Sequence, residues 1–273
     1  MSRVRGAIFR KEILIILIIA AAMRVALVTR AAGINNDTIK YVYTAREISR
    51  YGVQAGIEGD HYWPYFPVNR QLVFYPFLGS VVNQFVGNMV LSLRIVSALA
   101  GIGVVWLGYA VSKELFEKEN IALLTAGLLA FHPELAEASA AVFRESLTAF
   151  LLTQAFLLLL WARRTDTAWA AWSVLSGLTL FAGFMTRPDA AAAAGAMGGV
   201  TLLAGCGVKW QRRLAIVSVI GLAFLALEVP YVYMLKRKTG RWMVTQWQIQ
   251  NKMSRKEAVR RHLLDDSVGE GED

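Results

Sequence analysis

Asp37 is the first residue of this sequence whose position suggests chemistry. It lies in RAAGINNDTIKYVYTAREISRYG, residues 30–52, directly after a long apolar segment. The apolar positions that follow recur every three residues and share a broad face with Tyr41: Ile39, Val42, Ala45 and Ile48. This spacing predicts an amphipathic helix at a membrane surface. Asp37 could cap that helix, or its carboxylate could serve as a general base at the mouth of a membrane cavity, and the two roles are compatible.

Arginines form a second group of candidate residues. Four of them fall in or near the ends of apolar segments: Arg24, Arg94, Arg144 and Arg187. A charge inside a membrane span costs about 2.5–3.5 kcal/mol, so such residues commonly face a cavity or a partner. Converging guanidinium groups would bind a phosphate through paired hydrogen bonds and would stabilise a phosphate leaving group. Snorkelling to lipid headgroups is the alternative, and it suits Arg94 and Arg144 better than Arg24 and Arg187.

Arg187 is the strongest of these candidates because Pro188 and Asp189 follow it in a tight turn between two apolar segments. Asp189 could instead neutralise it. Two further candidates, His61 and Arg70, bracket the aromatic-rich loop segment GDHYWPYFPVNRQLVFYP. We interpret its aromatic side chains as an interfacial belt, with contact to a sugar or a lipid tail as the alternative.

The composition indicates which elements must position these residues. Of the 273 residues, 56% are hydrophobic and 18% are charged, with a formal net charge of +9. A soluble domain has about a quarter charged residues. Here the apolar residues form long blocks that short basic segments separate, which argues against a nucleic-acid binder and predicts an integral membrane protein. The single cysteine cannot form an internal disulfide bond, and the three histidines are too far apart for a zinc motif.

Seven apolar blocks are long enough, or nearly so, to cross a bilayer as helices, which takes about 20 residues. They cover residues 12–29, 91–111, 121–138, 146–161, 168–186, 190–208 and 214–235. We therefore expect an all-α polytopic membrane protein with about seven transmembrane helices. Glycines in these blocks, among them Gly101 and Gly195, predict close packing of helices. An eighth block, residues 72–87, is shorter and contains Pro76, Asn83 and Gln84.

The charge distribution predicts the topology, because short cytoplasmic loops are enriched in lysine and arginine. It favours a cytoplasmic N-terminus, with residues 72–87 as a short helix on the outer face. The basic cluster in residues 236–241 opposes this interpretation, so a spanning helix over residues 72–87 stays open. The first outer loop, residues 30–90, would carry amphipathic juxtamembrane helices. We expect a transmembrane core over residues 1–235 and a polar C-terminal helix with an acidic tail over residues 236–273.

Three segments of the chain resemble a known family. Five positions after the first span match the first-loop signature of GT-C glycosyltransferases: Asp37, Tyr41, Ala45, Ile48 and Gly52. Members with this signature include protein O-mannosyltransferases and aminoarabinose transferases, which use polyprenyl-phosphate sugars. LSLRIVSALAG, which contains Arg94 and Ser97, and GLTLFAGFMTRPDA resemble two further segments of the family. The resemblance covers roughly residues 12–207.

The resemblance implies an inverting transfer of a sugar from a polyprenyl-phosphate-linked donor to a glycan, lipid or protein acceptor. The reaction would take place at the outer face of a bacterial or archaeal plasma (inner) membrane, in cell-envelope glycosylation. Asp37 would lie near the acceptor nucleophile as the general base, and the second acidic position of the family falls at Glu145. From their types and positions, we expect the substrate-binding residues to be Arg187, Arg24, Arg70, His61 and Tyr41.

This chain departs from the family pattern at one point. Many relatives carry two acidic residues in the first-loop motif, whereas Thr38 follows Asp37 here. One aspartate and one distant glutamate leave the use of a divalent metal open. Glu145 could also serve only as an interfacial ion pair with Arg144.

Two other functions fit the same residues. A small-solute or lipid transporter also carries arginines within its spans, although no internal repeat is visible in this sequence. The second alternative is a degenerate GT-C core that binds the donor and needs a partner subunit, because relatives generally run longer.

Overall fold

The computed structural model of the protein describes residues 11–30, 36–53, 73–203, 207–239 and 242. Ten α-helices make up these residues: α1 (Lys11–Arg30), α2 (Asn36–Tyr51), α3 (Phe74–Val86), α4 (Met89–Phe116), α5 (Glu119–Phe131), α6 (Pro133–Ala140), α7 (Glu145–Arg164), α8 (Trp169–Phe184), α9 (Ala190–Leu203) and α10 (Trp210–Thr239). The expected all-α fold is confirmed.

Six of the seven predicted blocks contain one apolar helix each within the described residues, and the block at residues 121–138 contains two, α5 and α6. Four stretches are long and apolar enough to cross a membrane: Lys11–Thr29, Met89–Phe116, Glu145–Arg164 and Trp210–Arg237. The pair α5 and α6, bent by 56°, makes a fifth candidate span, and α8 and α9 are shorter apolar helices. The bend follows from Pro133, which has no backbone N–H and begins a new helix after His132. The predicted third span is therefore a broken helix.

The segment at residues 72–87 forms the short helix α3, which is not among the candidate spans in the described residues. It ends at Gly87, whose φ of 71° favours glycine, and the Asn88 side chain then caps α4 by accepting the N–H of Leu91 at 3.1 Å. The chain thereby reverses, and α3 packs antiparallel along the first turns of α4. A Cβ atom at Gly79 would lie 2.3 Å from Leu93 Cδ2, so this contact requires glycine.

Helix α4 is the centre of the bundle, with α1, α2, α3, α5, α6 and α7 packed around it. One apolar cluster joins α4 to α2, α3 and α7 and includes Tyr41, Tyr75 and Leu93. A second cluster joins it to α1 and α5, where alanines such as Ala126 allow close approach. The first cluster lies directly behind the candidate site.

The helix ends opposite the candidate site are joined by ion pairs. Arg164, at the end of α7, contacts Glu114 of α4 at 2.8 Å, and Arg212, at the start of α10, contacts Asp166 at 2.5 Å. Lys113 also pairs with Glu119. We call these contacts the ionic end of the bundle. The end of α4, the α7–α8 connection and the first turn of α10 thus lie at one end of the bundle, while helix α10 continues to Thr239, past the expected core boundary at residue 235.

Candidate active site

Arg187 lies at the centre of the candidate site, in the turn between α8 and α9. The N–H groups of Thr186 and Arg187 both donate to the carbonyl of Gly183, at 3.0 and 2.8 Å, and this fixes the turn. The Arg187 guanidinium contacts Asp189 through Nε at 3.0 Å and Nη2 at 2.8 Å, and Glu145 through Nη1 at 3.2 Å. Asp189 therefore does pair with Arg187, and Glu145 joins the pair from α7.

Glu145 and Arg144 occupy the start of α7, but they do not form the ion pair with each other that the sequence left open. The structure pairs Glu145 with Arg187, whereas Arg144 Nη1 donates to the Thr186 carbonyl at 3.4 Å. The Arg144 guanidinium also lies 5.9 Å from the centre of the Tyr41 ring. These contacts hold the start of α7 against the turn that carries Arg187.

Tyr41 projects from α2 into this group and is only 2% exposed. Its ring meets Tyr75 edge-on, with centroids 5.2 Å apart. Burial raises the pKa of the Tyr41 hydroxyl above its usual range, so the phenol stays neutral. Four charged side chains also act on this hydroxyl: Arg144, Glu145, Asp37 and Arg187. The structure therefore brings four predicted site or span-end residues together around a fifth, Tyr41.

Tyr75 and Ser97 form hydrogen bonds that support the candidate site, and the sequence analysis did not predict their contact. The Tyr75 hydroxyl lies 2.9 Å from Ser97 Oγ and donates to the Leu93 carbonyl at 3.1 Å. Ser97 Oγ in turn donates to the Phe143 carbonyl at 2.8 Å. Because Phe143 directly precedes Arg144, this chain of hydrogen bonds connects α3 and α4 to the start of α7.

Asp37 lies in the first turn of α2, which begins one residue earlier, so it is inside the helix and not ahead of it. Its carboxylate is 54% exposed and pairs with Lys40 at 3.0 Å. Negative charge is favoured at a helix N-terminus because the backbone dipole stabilises it. The sequence interpretation missed Lys40, although the spacing of three residues in a helix predicts such a contact.

Arg24 is separated from this group by its contacts. It is completely buried in α1, and its Nη1 donates to the Ala20 carbonyl at 3.0 Å. Its Nε would lie 3.0 Å from a Cβ atom at Gly101, so Arg24 packs on α4. Among the described residues, Nε and Nη2 of Arg24 have no hydrogen-bond partner. The predicted site residues His61 and Arg70 lie outside the described residues.

The arrangement offers a guanidinium that carboxylates hold in place and that solvent still reaches, since the Arg187 side chain is 33% exposed. Such a group can exchange one carboxylate for the oxygens of an entering phosphate. In the part of the chain that the structure describes, no three His, Cys, Asp or Glu side chains gather as a metal site.

Comparison with known proteins identifies the family. A family model described as dolichyl-phosphate-mannose-protein mannosyltransferase matches residues 72–234. Among solved structures, the chain is similar to an archaeal oligosaccharyltransferase, AglB from Archaeoglobus fulgidus, in complex with an inhibitory peptide and a dolichol-phosphate. The TM-score is 0.64 at 19% sequence identity, over 81% of this chain and 29% of that chain. No curated protein matches the chain.

The family match and the structural similarity support different conclusions. The structural similarity supports the fold of the transmembrane bundle, and this chain spans 29% of the length of that structure. The family model covers more than half of the chain, including Glu145 and Arg187. The protein therefore belongs to the dolichyl-phosphate-mannose-protein mannosyltransferase family, within the GT-C superfamily of membrane glycosyltransferases.

Proposed function

We propose that this protein transfers a sugar from a polyprenyl-phosphate-linked donor to an acceptor at the outer face of the membrane, with inversion at the anomeric carbon. The observation that carries the proposal is the partly exposed guanidinium of Arg187, held between Glu145 and Asp189 in the turn between α8 and α9. A dolichol-phosphate is present in the similar AglB structure, and a donor of this class fits a site built around a guanidinium.

Arg187 would bind the donor phosphate. Its Nε and Nη2 are already used by Asp189, whereas Nη1 makes a single 3.2 Å contact with the half-exposed Glu145. The donor phosphodiester carries one negative charge on two oxygens, as a carboxylate does, so it can replace Glu145 at this nitrogen. When the bond between the sugar and the phosphate breaks, the fixed guanidinium stabilises the charge left on the lipid phosphate.

Asp37 would accept the proton of the acceptor hydroxyl. An inverting transfer needs the base and the leaving group on opposite faces of the sugar ring. Asp37 on α2 and Arg187 on the turn before α9 belong to different elements, as such an arrangement requires. The Asp37 carboxylate is 54% exposed, so an acceptor hydroxyl can reach it.

The remaining assignments stay predictions. Arg24 would reach a substrate only through movement of α1 against α4, because it is fully buried. The ionic end of the bundle, rich in basic residues, supports a cytoplasmic location for that end and for the N-terminus. An inhibitory peptide is bound in the AglB structure, which favours a protein acceptor over a glycan or a lipid. A divalent metal and a partner subunit also stay predictions.

Native mass spectrometry of the full chain in mild detergent tests donor binding while the sugar itself is still unidentified. We expect a co-purifying polyprenyl-phosphate mass that Arg187→Ala loses. Arg212→Ala is the matched control, because Arg212 is similarly exposed, at 27%, and also pairs with a carboxylate, but at the ionic end.

Each outcome of this experiment is decisive. A polyprenyl-phosphate lost in Arg187→Ala and kept in Arg212→Ala supports the proposal, and an attached hexose or pentose names the sugar class. Bulk phospholipid alone, equal in the parent and both variants, contradicts it. Loss in both variants would mean that binding depends on the folded bundle and not on the guanidinium of Arg187, which also contradicts the assignment.

A further inference from the structure

A cavity of about 330 Å³ lies among α7, α8, α9 and α10, away from Arg187. Its walls include Leu159, Leu180, Gly195, Gly221 and Phe224. This space is partly open at the surface of the bundle, and its volume is at the lower end of the roughly 300–1,000 Å³ of small-molecule sites. It is therefore large enough to hold part of a ligand.

The walls of this cavity suit hydrocarbon. Two hydroxyl groups line it, but both are already used. Ser176 Oγ donates to the Ala155 carbonyl at 2.9 Å, and Thr201 Oγ1 donates to the Met197 carbonyl at 2.7 Å. Since neither hydroxyl has a proton left to donate, a polar ligand would lose its hydrogen bonds with water on entry.

Glycines create the space, contrary to the close packing predicted from the sequence. A Cβ atom at Gly195 or Gly221 would meet no described atom within 4 Å. Close packing does occur nearby, where a Cβ atom at Gly177 would lie 2.5 Å from the Ile220 carbonyl oxygen. Helix α10 therefore packs tightly on α8 at Gly177. It also contacts α9, where Arg213 Nη1 donates to the Leu202 carbonyl at 3.0 Å, but it leaves a gap beside Gly195 and Gly221 that offers lateral entry for a lipid chain.

Glu228 lies one helical turn beyond Phe224 on α10, towards the end of the bundle that holds Arg187. It is 6% exposed, and neither carboxylate oxygen has a hydrogen-bond partner among the described residues. An unpaired carboxyl group within a span is commonly functional.

The surroundings of Glu228 exclude an anionic ligand. Phe224 packs edge-on against Phe181 and Phe184, with centroids 6.0 and 5.8 Å apart, so aromatic rings border this region. No ion pair of the described residues includes Glu228. A lipid phosphate would therefore find no cation paired with Glu228 in the described residues, and a bare ammonium group would cost more to bring through the bilayer than a hydroxyl group does.

We propose that the α7–α10 cavity, with Glu228 one helical turn beyond its Phe224 wall, binds an uncharged lipid that carries a hydroxyl headgroup. The hydrocarbon chain occupies the apolar cavity, and the hydroxyl forms a hydrogen bond with the Glu228 carboxyl group. This site is separate from the anion site at Arg187, and it does not depend on the proposed sugar transfer.

Photo-crosslinking of the full chain in lipid nanodiscs tests the cavity. The probe is hexadecanol that bears a diazirine and an alkyne in its chain, and labelled peptides are mapped by mass spectrometry. We expect labelling on α9 and α10. Gly221→Leu fills the cavity and should weaken labelling about tenfold, because overpacking by a blocked chain costs at least 1.4 kcal/mol. Gly127→Leu on α5 is the matched control, since Gly127 has equal free space but does not line the cavity.

Headgroup variants test Glu228. Glu228→Leu removes the acceptor and should lower labelling by hexadecanol about tenfold or more, to the level of the corresponding methyl ether probe. Glu228→Gln keeps an acceptor oxygen and should retain more labelling than Glu228→Leu. Three results would overturn the proposal: unchanged labelling in Gly221→Leu, equal labelling of the parent by the alcohol and the ether, or stronger labelling by a hexadecyl phosphate probe.

Discussion

Ser97 offers a sharp test of how the site is supported, through the substitution Ser97→Ala. Its hydroxyl donates to the Phe143 carbonyl at 2.8 Å and lies 2.9 Å from the Tyr75 hydroxyl, and both side chains are fully buried. Removing it leaves the Phe143 carbonyl without its donor, while Tyr75 still donates to Leu93. A buried polar group that loses its partner costs about 1–3 kcal/mol, so we expect a loss of about 2 kcal/mol in the free energy of unfolding.

Ser173→Ala is the matched control for this prediction. Ser173 is also fully buried, but its hydroxyl donates to the Trp169 carbonyl one turn back in its own helix, at 2.8 Å. That carbonyl keeps its helical hydrogen bond after the substitution, so we expect a change within about 0.5 kcal/mol. Unfolding followed by tryptophan fluorescence in mixed micelles of mild detergent and dodecyl sulfate measures both values. Equal losses in the two variants would refute the idea that Ser97 connects elements of the bundle.

Three further predictions concern the base, the buried phenol and the helix hairpin. Asp37→Asn should lower the rate of sugar transfer by about 10²–10⁴-fold, which is the range for a general base. Donor binding measured by native mass spectrometry should stay unchanged. Transfer at the parent rate would show that Asp37 is not the base. Because burial raises the pKa of Tyr41, its neutral form stabilises the fold fully below the unfolded pKa of about 10, and stability falls as the pH rises above it. Unfolding measured from pH 8 to pH 11 should therefore show a steeper loss in the parent than in Tyr41→Phe, and parallel curves would contradict this. Gly79→Ala should destabilise the protein by about 1–3 kcal/mol, because its Cβ atom would meet Leu93. Gly127→Ala is the control and should be neutral or stabilising, because its Cβ atom would lie in free space. Equal unfolding midpoints for the two variants would argue against tight packing of α3 on α4.

Hydrophobic blocks predicted the helices well because each helix satisfies its own backbone hydrogen bonds, which makes local sequence sufficient. The break at Pro133 was readable for the same reason, since proline cannot continue a helix. The pairing of Glu145 with Arg187 could not be predicted, because these residues are 42 positions apart and meet only through packing of α7 against α8. Glu228 could have been identified as a charged residue inside the seventh apolar block, but the sequence analysis did not consider it.

The arginines also show which features local sequence can predict and which depend on packing. The sequence identified Arg187 from its local turn, and the structure places it between two carboxylates. Arg24 was a further candidate because it also stands in an apolar segment. The packing of α1 on Gly101, which the sequence could not show, buries Arg24 completely.

The ionic end of the bundle has a mechanical consequence. Arg212 ties the first turn of α10 to the α7–α8 connection, so this helix has a fixed pivot at one end. Helix α10 has 30 residues and is therefore about 45 Å long, so a tilt of about 5° about that pivot moves its far end by about 4 Å. Distances between spin labels should accordingly spread more widely at the far ends of α8 and α10 than at their pivoted ends. Small angular fluctuations are thus amplified into gaps as wide as a hydrocarbon chain, and only at the end of the bundle where Arg187 and Glu228 lie.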